Sequence, residues 1–267
     1  MKTVIVTGGT FGIGKAITLA LAENKFNVVA FGLKSNKGMD EDGHQIDTLR
    51  SELNSPNLKV DIIEADVTKS SDINEVVKFT KEKYGRIDGL VNNAAIGPLG
   101  SIVETSEKMW DDVINVNLKG TFLCCKEVLN YMIEQGEGAI VNIGSGSGWG
   151  KPNMLAYSAS KGGIFALSAA MAYDHMRHGI RVNTVVPGGG GFVTGMSLER
   201  RNGNIKHILD NGINNADNRL TEPRDVANAV LFLLSDKASA ISGTIIDVGC
   251  FAGQGGPLNN FKASQHE

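Results

Sequence analysis

The chain has 267 residues, 42% of them hydrophobic and 21% charged, with a formal net charge of −3. That is enough chain for one substantial core and a composition that suits a soluble globular protein. The slight negative charge does not point to nucleic acid or an anionic membrane as a partner, and no apolar run reaches the length of a membrane span.

The first predicted strand, Thr3-Val4-Ile5-Val6, is a β-branched run of the kind buried on both faces of a sheet. Because it starts so early, no signal or transit peptide is expected, and a cytoplasmic protein is the inference. Three cysteines, Cys124, Cys125 and Cys250, form no framework and agree with a reducing compartment. Neither His-Glu-x-x-His nor Cys-x-x-Cys occurs, so no metal site is expected.

A glycine-rich turn, Thr7-Gly8-Gly9-Thr10-Phe11-Gly12-Ile13-Gly14, separates this strand from a helix beginning at Lys15. Glycines between a strand and a helix let backbone N–H groups and the helix N-terminus approach a pyrophosphate. The second strand is Asn27–Phe31. An NAD site usually has a carboxylate near the end of that strand, to hold the ribose 2′-hydroxyl. Here the chain continues Gly32-Leu33-Lys34, with Lys37 following and no carboxylate before Asp40. The two lysines could meet a 2′-phosphate, so NADP(H) is favoured and NAD(H) is the alternative. Gln45–Leu53 reads as an amphipathic helix after a long polar loop, and Lys59–Ala65 as the third strand. Asp66 could accept a hydrogen bond from an adenine amino group, or cap the helix expected over Ser71–Tyr84.

Ile87–Val91 is the fourth strand and runs into Asn92-Asn93-Ala94-Ala95. Two carboxamides beyond a buried strand need partners, and fastening neighbouring strands would supply them. Trp110–Glu134 predicts one long helix, with Asn117 again asking for a partner. After a strand at Ala139–Ile143, Ser145 falls at the strand's carboxyl end, where open α/β sheets bind ligands. Tyr157 and Lys161 are four residues apart, on one face of a helix over Tyr157–His178. An ammonium beside a phenol favours the phenolate and suits the pair to acid–base work.

Taken in order, the glycine loop Thr7–Gly14, Asn92-Asn93-Ala94-Ala95, Asn117 before Leu118-x-Gly120, Ser145 after Asn142-Ile143-Gly144, and Tyr157-x-x-x-Lys161 resemble the short-chain dehydrogenase/reductase family. Pro187-Gly188 after Ile180–Val186, and Glu222-Pro223-x-Asp225-Val226-Ala227, extend the likeness over roughly Lys2–Val248. The resemblance implies an α/β fold: a single Rossmann-type, doubly wound domain over residues 1–267, with a parallel sheet of about seven strands and a substrate lid at 189–219. It implies an oxidoreductase that moves a hydride between NADP(H), or NAD(H), and a small-molecule secondary alcohol or ketone.

In that family's pattern Tyr157 is the acid or base, Lys161 supports it and holds the nicotinamide ribose, Ser145 binds the substrate oxygen, and Asn117 holds a relay water. Gly8, Thr10, Phe11, Gly12, Ile13 and Gly14 line the pyrophosphate and adenosine ribose. Asp66 and Val67 meet adenine, Asn93 and Ala94 the nearby ribose, and Pro187 and Gly188 the carboxamide; Lys34 meets the 2′-phosphate. The two long helices pair between subunits in relatives, so a homotetramer is expected.

Three places depart from the pattern. The run Gly189–Val193 before Thr194 is about two residues longer than in the family, so Thr194 as a cofactor contact is open. Val248-Gly249-Cys250-Phe251 replaces Val-Asp-Gly-Gly, and Phe11 stands where a basic residue often precedes the second loop glycine, which counts against NADP(H). Arg200, Arg201, Lys206 and His207 make the lid basic, as for an anionic or polyhydroxylated substrate or simply as solvated charges. Trp149 and Met154 are cleft walls or core. Two other activities share such a fold: nucleotide binding without catalysis, and lyase or epimerase chemistry with a transiently used cofactor.

Overall fold

A computed structural model describes residues 1–33, 58–187, 194–200, 203–204, 206, 219 and 221–248. Lys34, Lys37, Gly188, the glycine run that follows it, the helix expected over Gln45–Leu53, Cys250 and most of the expected lid lie outside these residues.

Seven strands form one parallel sheet: β1 (Thr3–Thr7), β2 (Asn27–Gly32), β3 (Val60–Glu64), β4 (Gly89–Asn92), β5 (Gly138–Ile143), β6 (Ile180–Val186) and β7 (Ile245–Asp247). Their order across the sheet is β3-β2-β1-β4-β5-β6-β7. Every residue of β1 is buried, because helices cover both faces of a parallel sheet. Alternation along the strands then sorts side chains into two cores. Ile5, Val29, Phe31, Leu90 and Ile140 point to one side, under α2 (Ser70–Tyr84) and the helix at Gly120–Gln135. Val4, Val6, Val28, Val91 and Val141 point to the other, under α1 (Gly12–Glu23) and the helix at Pro223–Leu234. Each such fully buried aliphatic side chain contributes about 1.5–3 kcal/mol of transfer free energy. Chain order reverses between β1 and β4, which pair through Thr7 and Asn92 at their carboxyl ends. A crevice at such a switch point is where doubly wound sheets take ligands.

The helix expected at Trp110–Glu134 begins earlier and is not uniform. Ser106 caps α3 (Glu107–Ile114) by accepting the Met109 N–H, residues Asn115–Lys119 widen into a π turn, and α4 (Gly120–Gln135) follows. The cause is tertiary. Asn117 is drawn out of the helical pattern by bonds to Ile96, and its carbonyl accepts from Thr121 Oγ1 at 2.8 Å. α4 stops at Gly136, whose φ of 71° suits a glycine C-cap. The remaining α-helices among the described residues are α5 (Leu155–His175), α6 (Gly195–Glu199) and α7 (Pro223–Leu234).

Candidate active site

The glycine loop after β1 folds back on itself. Gly8 and Gly12 sit at φ of 59° and 53°, in the left-handed region that favours glycine. A Cβ on Gly14 would lie 1.9 Å from the Gly8 carbonyl oxygen, and one on Gly8 would press to 2.9 Å of Ala94 Cα. A Cβ on Gly12, by contrast, would meet nothing closer than Thr194 at 3.9 Å, so the loop opens there. Phe11 is the N-cap of α1 and supplies no side-chain bond, and the first turn carries no acidic residue. N–H groups at a helix N-terminus behind a glycine-lined loop, with no acidic residue in the first turn, fit a pyrophosphate. Ile13 lies in this first turn, and buried Thr10 is beside the end of β2, where a Cβ on Gly32 would stand 3.1 Å from its hydroxyl.

The carboxamides after β4 do fasten strands. Asn92 Nδ2 donates to Asn142 Oδ1 at 2.8 Å, tying β4 to β5. Asn93 Nδ2 donates to the Thr7 and Gly8 carbonyls at 3.2 and 2.9 Å, while Thr7 Oγ1 accepts the N–H groups of Asn93 and Ala94, each at 3.0 Å. Asn93 therefore braces the glycine loop with its side chain. Asp66 is not the helix cap that one of its two readings held. Its Oδ1 accepts from the N–H and hydroxyl of Thr68 at 2.9 and 2.8 Å in a local turn, and α2 starts after Lys69. Val67 is buried against Gly120, where a Cβ would approach its side chain to 3.0 Å. Pro187 directly follows β6.

Tyr157 and Lys161 lie on the first turns of α5, and both are buried. Lys161 Nζ is 5.8 Å from the centroid of the Tyr157 ring and donates to the Ile143 carbonyl at the end of β5, at 2.7 Å. Burial pushes the Lys161 ammonium below its ordinary value; Tyr157 opposes this, and the Arg200 charge adds to it. Ser145, two residues past β5, is extended, and its Oγ accepts the Ser147 N–H at 3.2 Å, opening a 3-10 turn at Gly146–Trp149. Small residues let the pieces close: a Cβ on Gly162 would touch the Gly148 carbonyl at 3.0 Å, and one on Gly163 would meet Leu118 at 2.8 Å. Trp149 is half exposed and leans on Phe165, with ring centroids 4.7 Å apart. Met154 receives the Ser147 hydroxyl on its sulfur at 3.5 Å.

Asn117 is buried with three hydrogen bonds on its side chain. Oδ1 accepts the Ile96 N–H at 2.9 Å; Nδ2 donates to the Ile96 carbonyl at 2.9 Å and to Ser160 Oγ at 3.0 Å, and Ser160 donates to the Tyr157 carbonyl at 2.7 Å. Ile96 and Ser160 thus belong to the site, although neither is marked by a reactive side chain in the sequence. Nor is the position of Arg200, whose guanidinium carbon stands 4.5 Å from the Tyr157 ring centroid. Thr194, left open by the long glycine run, lies beside Gly12 and caps α6 by accepting the Ser197 N–H at 3.3 Å.

Residues 2–204 match the family model described as short chain dehydrogenase. Over 248 residues the chain is 37% identical to the 3-oxoacyl-[acyl-carrier-protein] reductase FabG of Thermotoga maritima, covering 92% of this chain and 96% of that one. Among solved structures, the chain overlays a variant of the actinorhodin polyketide ketoreductase with NADPH at a TM-score of 0.82 and 30% identity, covering 94% of this chain and 97% of that one. Levodione reductase aligns at a TM-score of 0.82 and 31% identity, over 95% and 97% of the two chains.

Proposed function

The chain belongs to the short-chain dehydrogenase/reductase family, and on that footing we propose that it is an NADPH-dependent ketone reductase. It is an oxidoreductase that moves a hydride between a nicotinamide cofactor and a carbonyl or alcohol carbon. A 3-oxoacyl thioester is the first substrate to consider, because the Thermotoga relative is named for that reaction. NADP(H) over NAD(H) is supported by the neighbour solved with NADPH and by the described end of β2, Gly32-Leu33, which carries no carboxylate.

When bound, the nicotinamide supplies the hydride; the protein supplies binding, orientation and the proton. The glycine loop and the first turn of α1 hold the pyrophosphate, with Gly8, Thr10, Phe11, Gly12, Ile13 and Gly14 around it. Asp66, Val67, Asn93 and Ala94 border the adenosine side, and Pro187 the carboxamide side. Tyr157 gives its phenolic proton to the carbonyl oxygen as that oxygen gains charge, and Ser145 Oγ donates a hydrogen bond to the same oxygen. Lys161, anchored at Ile143, favours the phenolate left behind and reaches the ribose hydroxyls. Asn117 would hold the water that returns a proton by way of Lys161, as in the family's pattern. The observation that carries this reading is the buried Tyr157–Lys161 pair, with Lys161 fixed to the end of β5. The reading also holds that the enzyme works in the cytoplasm as a homotetramer; no described helix is long and apolar enough to cross a membrane.

The test is a fluorescence titration with NADPH and, separately, NADH, followed by NADPH consumption with a 3-oxoacyl thioester. NADPH preference with turnover of the thioester is the expected result. A preference for NADH would reverse the cofactor assignment, and binding without reduction of any ketone would favour the non-catalytic nucleotide-binding alternative.

A further inference from the structure

Arg200 follows α6 directly, and its Nε donates to the Gly97 carbonyl at 2.7 Å. Its guanidinium carbon lies 4.5 Å from the centroid of the Tyr157 ring, within the range where a cation is held by an aromatic face. Gly97 is what admits it. A Cβ at that position would stand 1.9 Å from Arg200 Nη2 and 2.9 Å from Met196 Sδ, so both side chains seat in a notch that alanine would fill. The notch is tied to the catalytic turn, because the preceding residue, Ile96, exchanges two hydrogen bonds with the Asn117 side chain. At its other end α6 starts against the glycine loop, where a Cβ on Gly195 would come within 2.8 Å of the Phe11 ring. This short helix therefore bridges the cofactor loop, the wall beyond β4 and the proton donor.

We propose that Arg200 is a positioning residue for Tyr157: seated in the Gly97 notch, its guanidinium latches α6 across the site and holds the phenol ring by its face. The proposal rests on the reading of Tyr157 as the proton donor. A flat guanidinium can bond a carbonyl through its edge while stacking a ring with its planar face, a geometry that an ammonium, a point charge on a flexible stem, does not fix. A ring carried by α5 and met on its face by Arg200 keeps its hydroxyl aimed at the reacting oxygen. Small errors in such an aim cost rate rather than binding.

The experiment compares wild type, Arg200→Met, Arg200→Lys, Gly97→Ala and the Gly97→Ala/Arg200→Met double variant. NADPH binding by fluorescence should stay within about twofold of wild type in all of them, since the glycine loop is untouched. Amide exchange at Leu198, Arg200 and Gly203, whose N–H groups bond Thr194, Met196 and Leu198, should quicken about tenfold or more in Arg200→Met and Gly97→Ala. With a ketone substrate kcat should fall about tenfold or more with KM little changed, Arg200→Lys should recover part of it, and the double variant should be no worse than the poorer single.

Multiplying losses in the double variant, a loss confined to KM, or full activity in Gly97→Ala would each overturn the proposal. Exchange is read without turnover. If wild type reduces no ketone, the functional reading fails while faster exchange still upholds the latch, and unchanged exchange overturns the latch in either case.

Discussion

Tyr157 shows how far a single residue can be argued. Its hydroxyl carries the proton in the proposed reaction, but its ring also fills the buried start of α5, with Lys161 and Arg200 both near it. Phenylalanine keeps the ring and removes the proton. Tyr157→Phe is therefore expected to bind NADPH within about threefold of wild type and to lose about 10²–10⁴-fold in kcat, the span one positioned acid contributes. Fluorescence titration and NADPH consumption measure the two quantities, and turnover retained within tenfold would remove Tyr157 from its role. At this scale the sequence was informative wherever a side chain has one evident chemical use, as for Tyr157 and Lys161. It was silent where a residue acts by what it lacks or by where a distant loop brings it. Gly97 matters through a missing Cβ, and Arg200, expected only as one of the lid's cations, reaches a residue 43 positions earlier.

The elements divide by the same reasoning. Strands buried on both faces are continuous β-branched runs, so β1, β2, β5 and β6 were legible from composition alone. The π turn at Asn115–Lys119 was not, because local propensity favours an unbroken α-helix and the widening comes from bonds between Asn117 and Ile96. The start of α7 was legible in Glu222-Pro223-x-Asp225, and it allows a pH-resolved test. The Asp225 carboxylate accepts the Glu222 N–H at 2.8 Å and both terminal nitrogens of Arg219 at 2.8 Å each. The Arg219 bonds, with the Glu222 N–H helping and partial burial opposing, hold Asp225 below its ordinary value of 3.8. A carboxyl depressed in the folded state adds stability that is complete above its unfolded value and is lost as pH falls through the folded one. Asp225→Ala should cost about 1 kcal/mol at pH 7, a fall of about 2–4 °C in melting temperature. Thermal melts of both proteins should show that gap undiminished at pH 5 and narrowing below 3.8. A gap that ignores pH would mean the lost helix packing, not the carboxylate, sets the cost.

At the scale of the whole molecule, the two cores account for the inner faces of the helices but leave apolar surface outside. Phe122 on α4 is 45% exposed, and Tyr173 on α5 is 80% exposed. Ala159, Ala166 and Ala170 are also exposed on α5, spaced so that they share one face with Tyr173. A face of small residues ending in an aromatic lets a second helix approach closely, and an isologous dimer pairs such a face with its own copy. Repeating the pairing through a second two-fold axis gives the tetramer implied by the resemblance. Light scattering at micromolar concentration should then read about 114 kDa, four chains of 28.4 kDa. Ala166 is exposed in the single chain, so Ala166→Glu should leave the fold and NADPH binding intact. If that face is the helix-pairing surface, the added carboxylates would meet their own copies across the two-fold axis and reduce the mass to a dimer or monomer. A tetramer unaffected by Ala166→Glu would move the interface elsewhere on the molecule, and a wild-type mass near 28 kDa would end the tetramer reading.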